Sequence, residues 1–178
     1  MPKLTPAQLR TRLKRIKLIL FDVDGVLTDG AIFITSEGEF KRFHVQDGLG
    51  QRIAAQAGLK IGWVSARPSL ITTRRGEELK TDFIIQTRNG KVPAVEGILA
   101  QAGLTWEEAC FVGDDLVDLG VFRRVGLAIA PADACAEATA AAHCITKARG
   151  GNGCVREVVE MVLKAQGKWA TIVSEYAK

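Results

Sequence analysis

Short apolar runs alternate with longer amphipathic stretches along most of the chain. The runs at 17–22 (KLILFD), 60–65 (KIGWVS), 82–86 (DFIIQ), 110–113 (CFVG), 127–130 (LAIA) and 143–146 predict strands. Apolar positions at helical spacing predict helices over 6–15, 47–58, 69–79, 93–102, 116–125, 134–142 and 155–166. Thr5 and Pro6 open the first of these, and Gly58 and Gly103 close two others. Thr105 with Glu108 three residues later reads as a capping box for a short helix at 105–109. Strands that are apolar throughout are those buried on both faces. Alternation of such strands with helices of this length predicts a parallel sheet wound on both sides. The fold class is α/β, a single doubly wound domain over 1–178, with no linker or internal repeat.

One segment breaks the alternation. Residues 30–45 (GAIFITSEGEFKRFHV) split around Ser36-Glu37-Gly38 into two β-like halves, with Ile32 and Ile34 in one and Phe40, Phe43 and Val45 in the other. This predicts a β-hairpin inserted just after the first strand. It is too small for a cap domain. The tail at 168–178 carries no pattern that predicts an element.

The apolar strands stop at polar residues. The first ends in Asp22-Val23-Asp24-Gly25, the second in Ser65-Ala66-Arg67, and the fourth in Gly113-Asp114-Asp115 with Asp118 close behind; Lys91 follows the third. In open parallel sheets ligands bind at the carboxyl ends of the strands, and acids are costly to bury unless paired or metal-bound. Asp22 and Asp114 are hard oxygen donors suited to Mg²⁺. A carboxylate near such an ion can act as a nucleophile toward phosphorus. Asp24 can protonate the leaving oxygen and then deprotonate water. Ser65 can donate to a phosphoryl oxygen, Lys91 can neutralise its charge, and backbone N–H groups at Gly25 and Val26 can serve the same phosphate. Asp47 either caps the helix that begins near Gly48 or meets substrate. The Gly150–Gly153 loop reads as a tight turn near the site.

In this order, DVDGVLTDG at 22–30, Ser65, Lys91 and GDDLVD at 113–118 resemble the four motifs of the haloacid dehalogenase-like phosphatases. The resemblance implies Asp22 as nucleophile, Asp24 as acid and base, and Mg²⁺ held by Asp22, Asp114 and the backbone carbonyl of Asp24. It leaves open whether Asp115 or Asp118 touches the metal or its waters. Further segments, FHVQDGLG at 43–50, VSARPS at 64–69, GLAIAPADA at 126–134 and GGNGCVREVVE at 150–160, look like the 3-deoxy-D-manno-octulosonate 8-phosphate phosphatase family. That resemblance implies hydrolysis of this sugar-acid phosphate through an aspartyl-phosphate. It also implies a homotetramer with active sites at subunit interfaces, and Arg67 and Arg75 facing the sugar acid. Ala66 stands where the family motif has Gly, and Gln46 where many members have a basic residue. Two alternatives stay open: a nine-carbon sugar-acid 9-phosphate as substrate, or a catalytically silent tetrameric scaffold.

Composition adds limits. The chain has 178 residues, 47% hydrophobic and 25% charged, with a net charge of +4. A modest positive field suits an anionic substrate. Only residues 10–17 (RTRLKRIK) are dense in positive charge, and they read as a solvated helix face rather than a nucleic-acid site. Four cysteines without CxxC spacing and only two histidines predict reduced core thiols and no zinc site. No apolar run reaches the ~20 residues of a membrane helix, and the expected location is the cytoplasm.

Overall fold

The computed structural model describes residues 3–178. Six strands form one parallel sheet: β1 (Leu18–Phe21), β4 (Lys60–Ser65), β5 (Phe83–Gln86), β6 (Ala109–Val112), β7 (Leu127–Ala130) and β8 (Cys144–Ile145), in the order β5-β4-β1-β6-β7-β8. The chain first winds outward from β1 through β4 to β5. It then crosses back to β6 on the other side of β1. The direction of winding therefore reverses between β1 and β6, the crevice where open α/β sheets bind ligands.

The continuous apolar runs are explained by two covered faces. Ile19 and Phe21 of β1 pack with Trp63, Val112 and the helices α1 (Pro6–Arg15), α2 (Val45–Gln56) and α7 (Cys154–Ala165). Leu18 and Leu20 point the other way, toward Phe111, Val95, Ile98 and Phe122, on the side of α4 (Lys91–Ala102) and α5 (Leu119–Phe122). All four residues of β1 are fully buried. The indole N–H of buried Trp63 donates to Gln51 Oε1 of α2 at 2.6 Å, which satisfies the ring's polar group. The remaining helices are α3 (Leu70–Glu78), α6 (Ala136–Ala141) and α8 (Trp169–Tyr176).

The expected caps are present. Thr5 Oγ1 accepts from the Gln8 N–H, the Glu108 carboxylate accepts from the Thr105 N–H at 3.0 Å, and Gly58 and Gly103 end their helices at positive φ. The hairpin is shorter than expected. Its strands are β2 (Phe33–Thr35) and β3 (Gly38–Phe40), and the facing pair is Phe33 with Phe40, stacked 4.8 Å apart, rather than a pair drawn from Ile32 and Ile34. Three other expectations change. The helix expected over 116–125 is a 3₁₀ turn at Leu116–Asp118 followed by one helical turn, because the Asp118 side chain folds back onto the loop before it. The helix expected from 93 begins at Lys91, since Pro is tolerated in a first turn. The tail forms α8, which packs on α7 through Trp169 and Ile172. All four cysteines are free. No helix of the described residues is long and apolar enough to cross a membrane.

Candidate active site

The site is built where β1 and β6 end side by side. The N–H of Asp22 still donates to the Val112 carbonyl at 2.9 Å, so the first acid is pinned to the neighbouring strand. Past it the chain makes a wide turn over Val23–Leu27, closed by the Thr28 N–H on the Val23 carbonyl at 3.1 Å. Gly25 sits in this turn at φ +88°, where a Cβ would lie 2.0 Å from Asp114 Oδ2. Glycine thus serves twice, supplying the left-handed backbone and letting the β6 carboxylate close against the β1 turn. The Gly150–Gly153 loop braces the turn from behind. The Gly151 N–H donates to the Val26 carbonyl at 2.9 Å, and a Cβ on Gly150 would strike the Gly25 carbonyl oxygen. It is a structural turn beside the site, as expected.

Asp22 Oδ1 accepts from the Val23 N–H at 2.7 Å, and its Oδ2 lies 2.8 Å from Lys91 Nζ. Lys91 Nζ also lies 2.6 Å from Asp118 Oδ1. Asp118 Oδ2 accepts from the N–H groups of Asp114 and Asp115 at 2.9 and 3.3 Å, which shapes the 113–118 loop. Asp118, one of the two acids left open by the motif, is therefore inside the cluster. The other, Asp115, is exposed and caps the 3₁₀ turn through the Leu116 N–H.

Carboxylate oxygens of Asp22, Asp114 and Asp118 lie within 4.8 Å of one another. Lys91 is the cation among them, so three acids against one ammonium leave a formal excess of two negative charges. Asp114 Oδ1 is buried and has no hydrogen-bond partner. Burial first, and then the neighbouring Asp22 and Asp118, push the Asp114 carboxyl up to about 8. Burial likewise raises Asp22 against the pull of Lys91. Burial opposes the charge on Lys91, but Asp22 and Asp118 outweigh it and its pKa is raised. A hard divalent cation fits this set in charge, in donor type and in the unpartnered Asp114 oxygen.

This electrostatics has a measurable consequence. An acid whose pKa is raised on folding makes the folded state bind more protons than the unfolded chain, so stability falls as pH rises. In chelator, the melting temperature is expected to drop between about pH 4, where unfolded Asp titrates, and about pH 8, the Asp114 value. Saturating Mg²⁺ is expected to flatten that slope. A flat metal-free profile in thermal denaturation across this window would show that the acids do not repel.

The other expected residues fall into two groups. Ser65 is buried beside the cluster's edge; its Oγ accepts from the Arg67 N–H and donates to the Arg67 carbonyl, both at 3.1 Å. Asp24 lies in the wide turn with Gly25 and Val26, and its carboxylate pairs with Lys41 Nζ at 2.7 and 3.0 Å. Arg67 is paired with Glu39 of the hairpin, whose other oxygen accepts from Ser69 Oγ at 2.5 Å. These two bonds hold the Glu39 carboxyl well below its usual range. Arg75 has its partners on α3 and around α2. Its guanidinium bonds Glu78 at 2.7 Å and sits 5.9 Å from the Phe43 ring, against Gly48 of α2. Asp47 does not cap its own helix. It accepts from the Gly153 and Arg156 N–H groups at 3.1 and 2.8 Å and so caps α7.

Lys41 is the residue the sequence reading missed. Its side chain is fully buried, between Asp24 and Thr72 Oγ1. In the run GEFKRF it looks like any strand-end lysine, and only its apolar neighbours at 40 and 43 hint that it turns inward.

The haloacid dehalogenase-like hydrolase family matches residues 63–158. The 3-deoxy-D-manno-octulosonate 8-phosphate phosphatase of Haemophilus influenzae is 38% identical over 161 residues, which span 90% of this chain and 89% of the relative. That of Escherichia coli K12 is 36% identical over 163 residues, 91% of this chain and 87% of the relative. The structure of the Moraxella catarrhalis enzyme, in complex with magnesium, phosphate and the eight-carbon sugar acid, superposes with a TM-score of 0.93 at 38% identity, covering 97% of this chain and 99% of that one. Identity at this level over nearly the whole length, with the strand-end acids in place, decides the classification: the chain belongs to the 3-deoxy-D-manno-octulosonate 8-phosphate phosphatase family of haloacid dehalogenase-like hydrolases.

Proposed function

We propose that this protein is a Mg²⁺-dependent phosphatase that releases phosphate from 3-deoxy-D-manno-octulosonate 8-phosphate. The observation that carries the reading is the convergence of Asp22, Asp114, Asp118 and Lys91 at the strand-order reversal, in a chain of this family. Asp22 is the nucleophile. Its carboxylate oxygen forms a bond to phosphorus as the bond from phosphorus to the sugar oxygen breaks, and Asp24 gives its proton to that oxygen. Asp24 then takes a proton from water, whose oxygen attacks phosphorus and frees Asp22. Lys91 and Ser65 hold phosphoryl oxygens, aided by N–H groups of the Gly25–Val26 turn. Lys41 holds the Asp24 carboxylate in one orientation. Asp22, Asp114 and the Asp24 carbonyl would hold Mg²⁺, which would supply charge stabilisation to the transferring group when bound.

Arg67, fixed by Glu39, stands at the rim for the substrate's carboxylate, which Arg binds in bidentate fashion. The hairpin leaves Phe33, Ile34 and Phe40 exposed, together with Val45 just beyond it. An apolar surface of this kind supports association through the hairpin, and we assign a cytoplasmic homotetramer whose neighbouring subunits close the sites. The complete set of Asp22, Asp24, Ser65 and Lys91 favours turnover over a silent scaffold.

The test is phosphate release from a panel of sugar phosphates with and without Mg²⁺. The eight-carbon 2-keto-3-deoxy acid 8-phosphate is expected to be hydrolysed at least about tenfold faster than the nine-carbon 9-phosphate, a preference of ~1.4 kcal/mol. Preference for the nine-carbon acid would move the substrate and leave the chemistry. No Mg²⁺-dependent release from any member would sink the enzyme reading.

A further inference from the structure

The amino ends of the strands carry a second charged cavity, which the phosphatase reaction does not use. It measures about 350 Å³ and is lined by Arg12, Arg15, Glu107, Arg123, Arg124 and His143, among others. Arg12 and Arg15 precede β1, Glu107 precedes β6, and His143 precedes β8, so the cavity opens at the edge opposite Asp22 and Asp114. The four residues of β1 separate the two ends by ~13 Å.

Four guanidiniums face one carboxylate here, and none of the four is within ion-pair distance of a carboxylate among the described residues. Arg124 lies 6.0 Å from the Trp106 ring. Arg12 Nη1 donates to the Gly126 carbonyl at 2.6 Å and also lies 3.1 Å from His143 Nε2. That second contact cannot be an ordinary hydrogen bond. The Ala128 N–H donates to His143 Nδ1 at 2.9 Å, so a neutral ring carries its proton on Nε2. Burial first, and Arg12 next, push His143 down to about 4, which keeps the ring neutral. Two donors therefore meet with no acceptor between them, and the ring is only 7% exposed. One oxygen set against both donors accepts from each, and among four guanidiniums an anionic oxygen is favoured. The planar arginine fork suits tetrahedral oxyanions with several acceptors.

We propose that this cavity is a second anion site that takes a phosphate group, as inorganic phosphate or on a phosphorylated metabolite, between Arg12 and His143 with Arg15 and Arg123 at the mouth. It also gives a use to Arg12 and Arg15 of the basic run at 10–17, which the active site leaves aside.

The chain has two histidines, so ring NMR reads His143 directly, with His44 as internal reference. The full-length protein would be titrated with inorganic phosphate and with glycerol 3-phosphate, in chelator so that the metal-dependent site is silent. Both are expected to shift the His143 Cε1–H signal saturably, and the shift is expected to weaken with added chloride. A tighter ester than inorganic phosphate would name a metabolite as the occupant. The R15Q/R123Q double variant is expected to bind at least about tenfold more weakly, R15K/R123K to retain most binding, and both to keep wild-type phosphatase turnover. An unmoved His143 signal would overturn the proposal. So would equal binding by the R15Q/R123Q protein, or capture of a duplex oligonucleotide without any phosphate effect.

Discussion

Asp22→Asn is expected to abolish phosphate release while the protein folds as well as before. The loss should be roughly 10⁴-fold or more, the scale seen when a covalent nucleophile is removed. The amide keeps an oxygen for the Val23 N–H, which Asp22 Oδ1 now accepts at 2.7 Å. Its nitrogen replaces the oxygen that faces Lys91 at 2.8 Å, so the variant loses both the attacking charge and half of the clamp on Lys91. Stability should move the other way from activity. Three acids crowd this site against one ammonium, and burial already raises Asp22. Removing one negative charge from the metal-free protein therefore relieves repulsion. In chelator at pH 8 the variant is expected to melt no lower than wild type, and Mg²⁺ is expected to raise its melting temperature less than it raises that of wild type. This pairing separates lost chemistry from lost folding. An Asp22→Asn protein that turns over normally would reassign the nucleophile; an inactive one that melts far below wild type would make Asp22 a structural residue first.

Much of this arrangement was legible in the sequence because it depends on local pattern. A strand buried on both faces must be apolar throughout, so β1 and β6 stand out, and the acids that end them stand out more. The reversal of strand order between β1 and β6 brings Asp22 and Asp114 together across 92 positions (114 − 22). The details that escaped rest on side-chain contacts, several of them long-range. Asp47 reads as a cap for the helix that follows it, yet its carboxylate reaches Gly153 and Arg156 because α2 packs along α7. Arg75 reads as a candidate for the sugar acid, yet the Phe43 ring and Glu78 hold it against α2. Lys41 follows a two-stranded hairpin whose tip is exposed, and nothing local marks it as the partner of Asp24. The helix break at Asp118 follows from a side chain folding onto its own loop, which a hydrophobic period cannot report.

Lys91→Met should cost more stability than any surface change, and the cost should depend on pH and metal. Lys91 is 3% exposed and lies within 2.8 Å of Asp22 and 2.6 Å of Asp118, with its ammonium 5.7 Å from the Phe111 ring. Methionine keeps the length of the stem and removes the charge. The cluster is then left with two buried acids, one half-buried acid and no cation, and breaking a buried pair in this way costs about 3–5 kcal/mol. For a chain of this size that is roughly 10 °C in melting temperature. The penalty exists only while the acids are ionised. The folded pKa values of Asp22 and Asp114, already raised, rise further without Lys91, so the variant takes up protons on folding over a wider range, and its deficit should shrink as pH falls toward 4. Mg²⁺ should return part of the loss, because a ligand that binds only the folded state stabilises it by mass action. Activity should not return, since no ammonium is left to hold the transferring phosphoryl group. Lys91→Arg should fail as well, because the planar guanidinium needs more room than this buried slot offers. Thermal melts of the two variants at pH 5 and pH 8, each with and without Mg²⁺, decide the matter. A Lys91→Met protein as stable as wild type at pH 8 in chelator would mean that the acids are already neutral or charge-balanced by another group, and the account of Lys91 as the cation that holds the nucleophile would have to be abandoned.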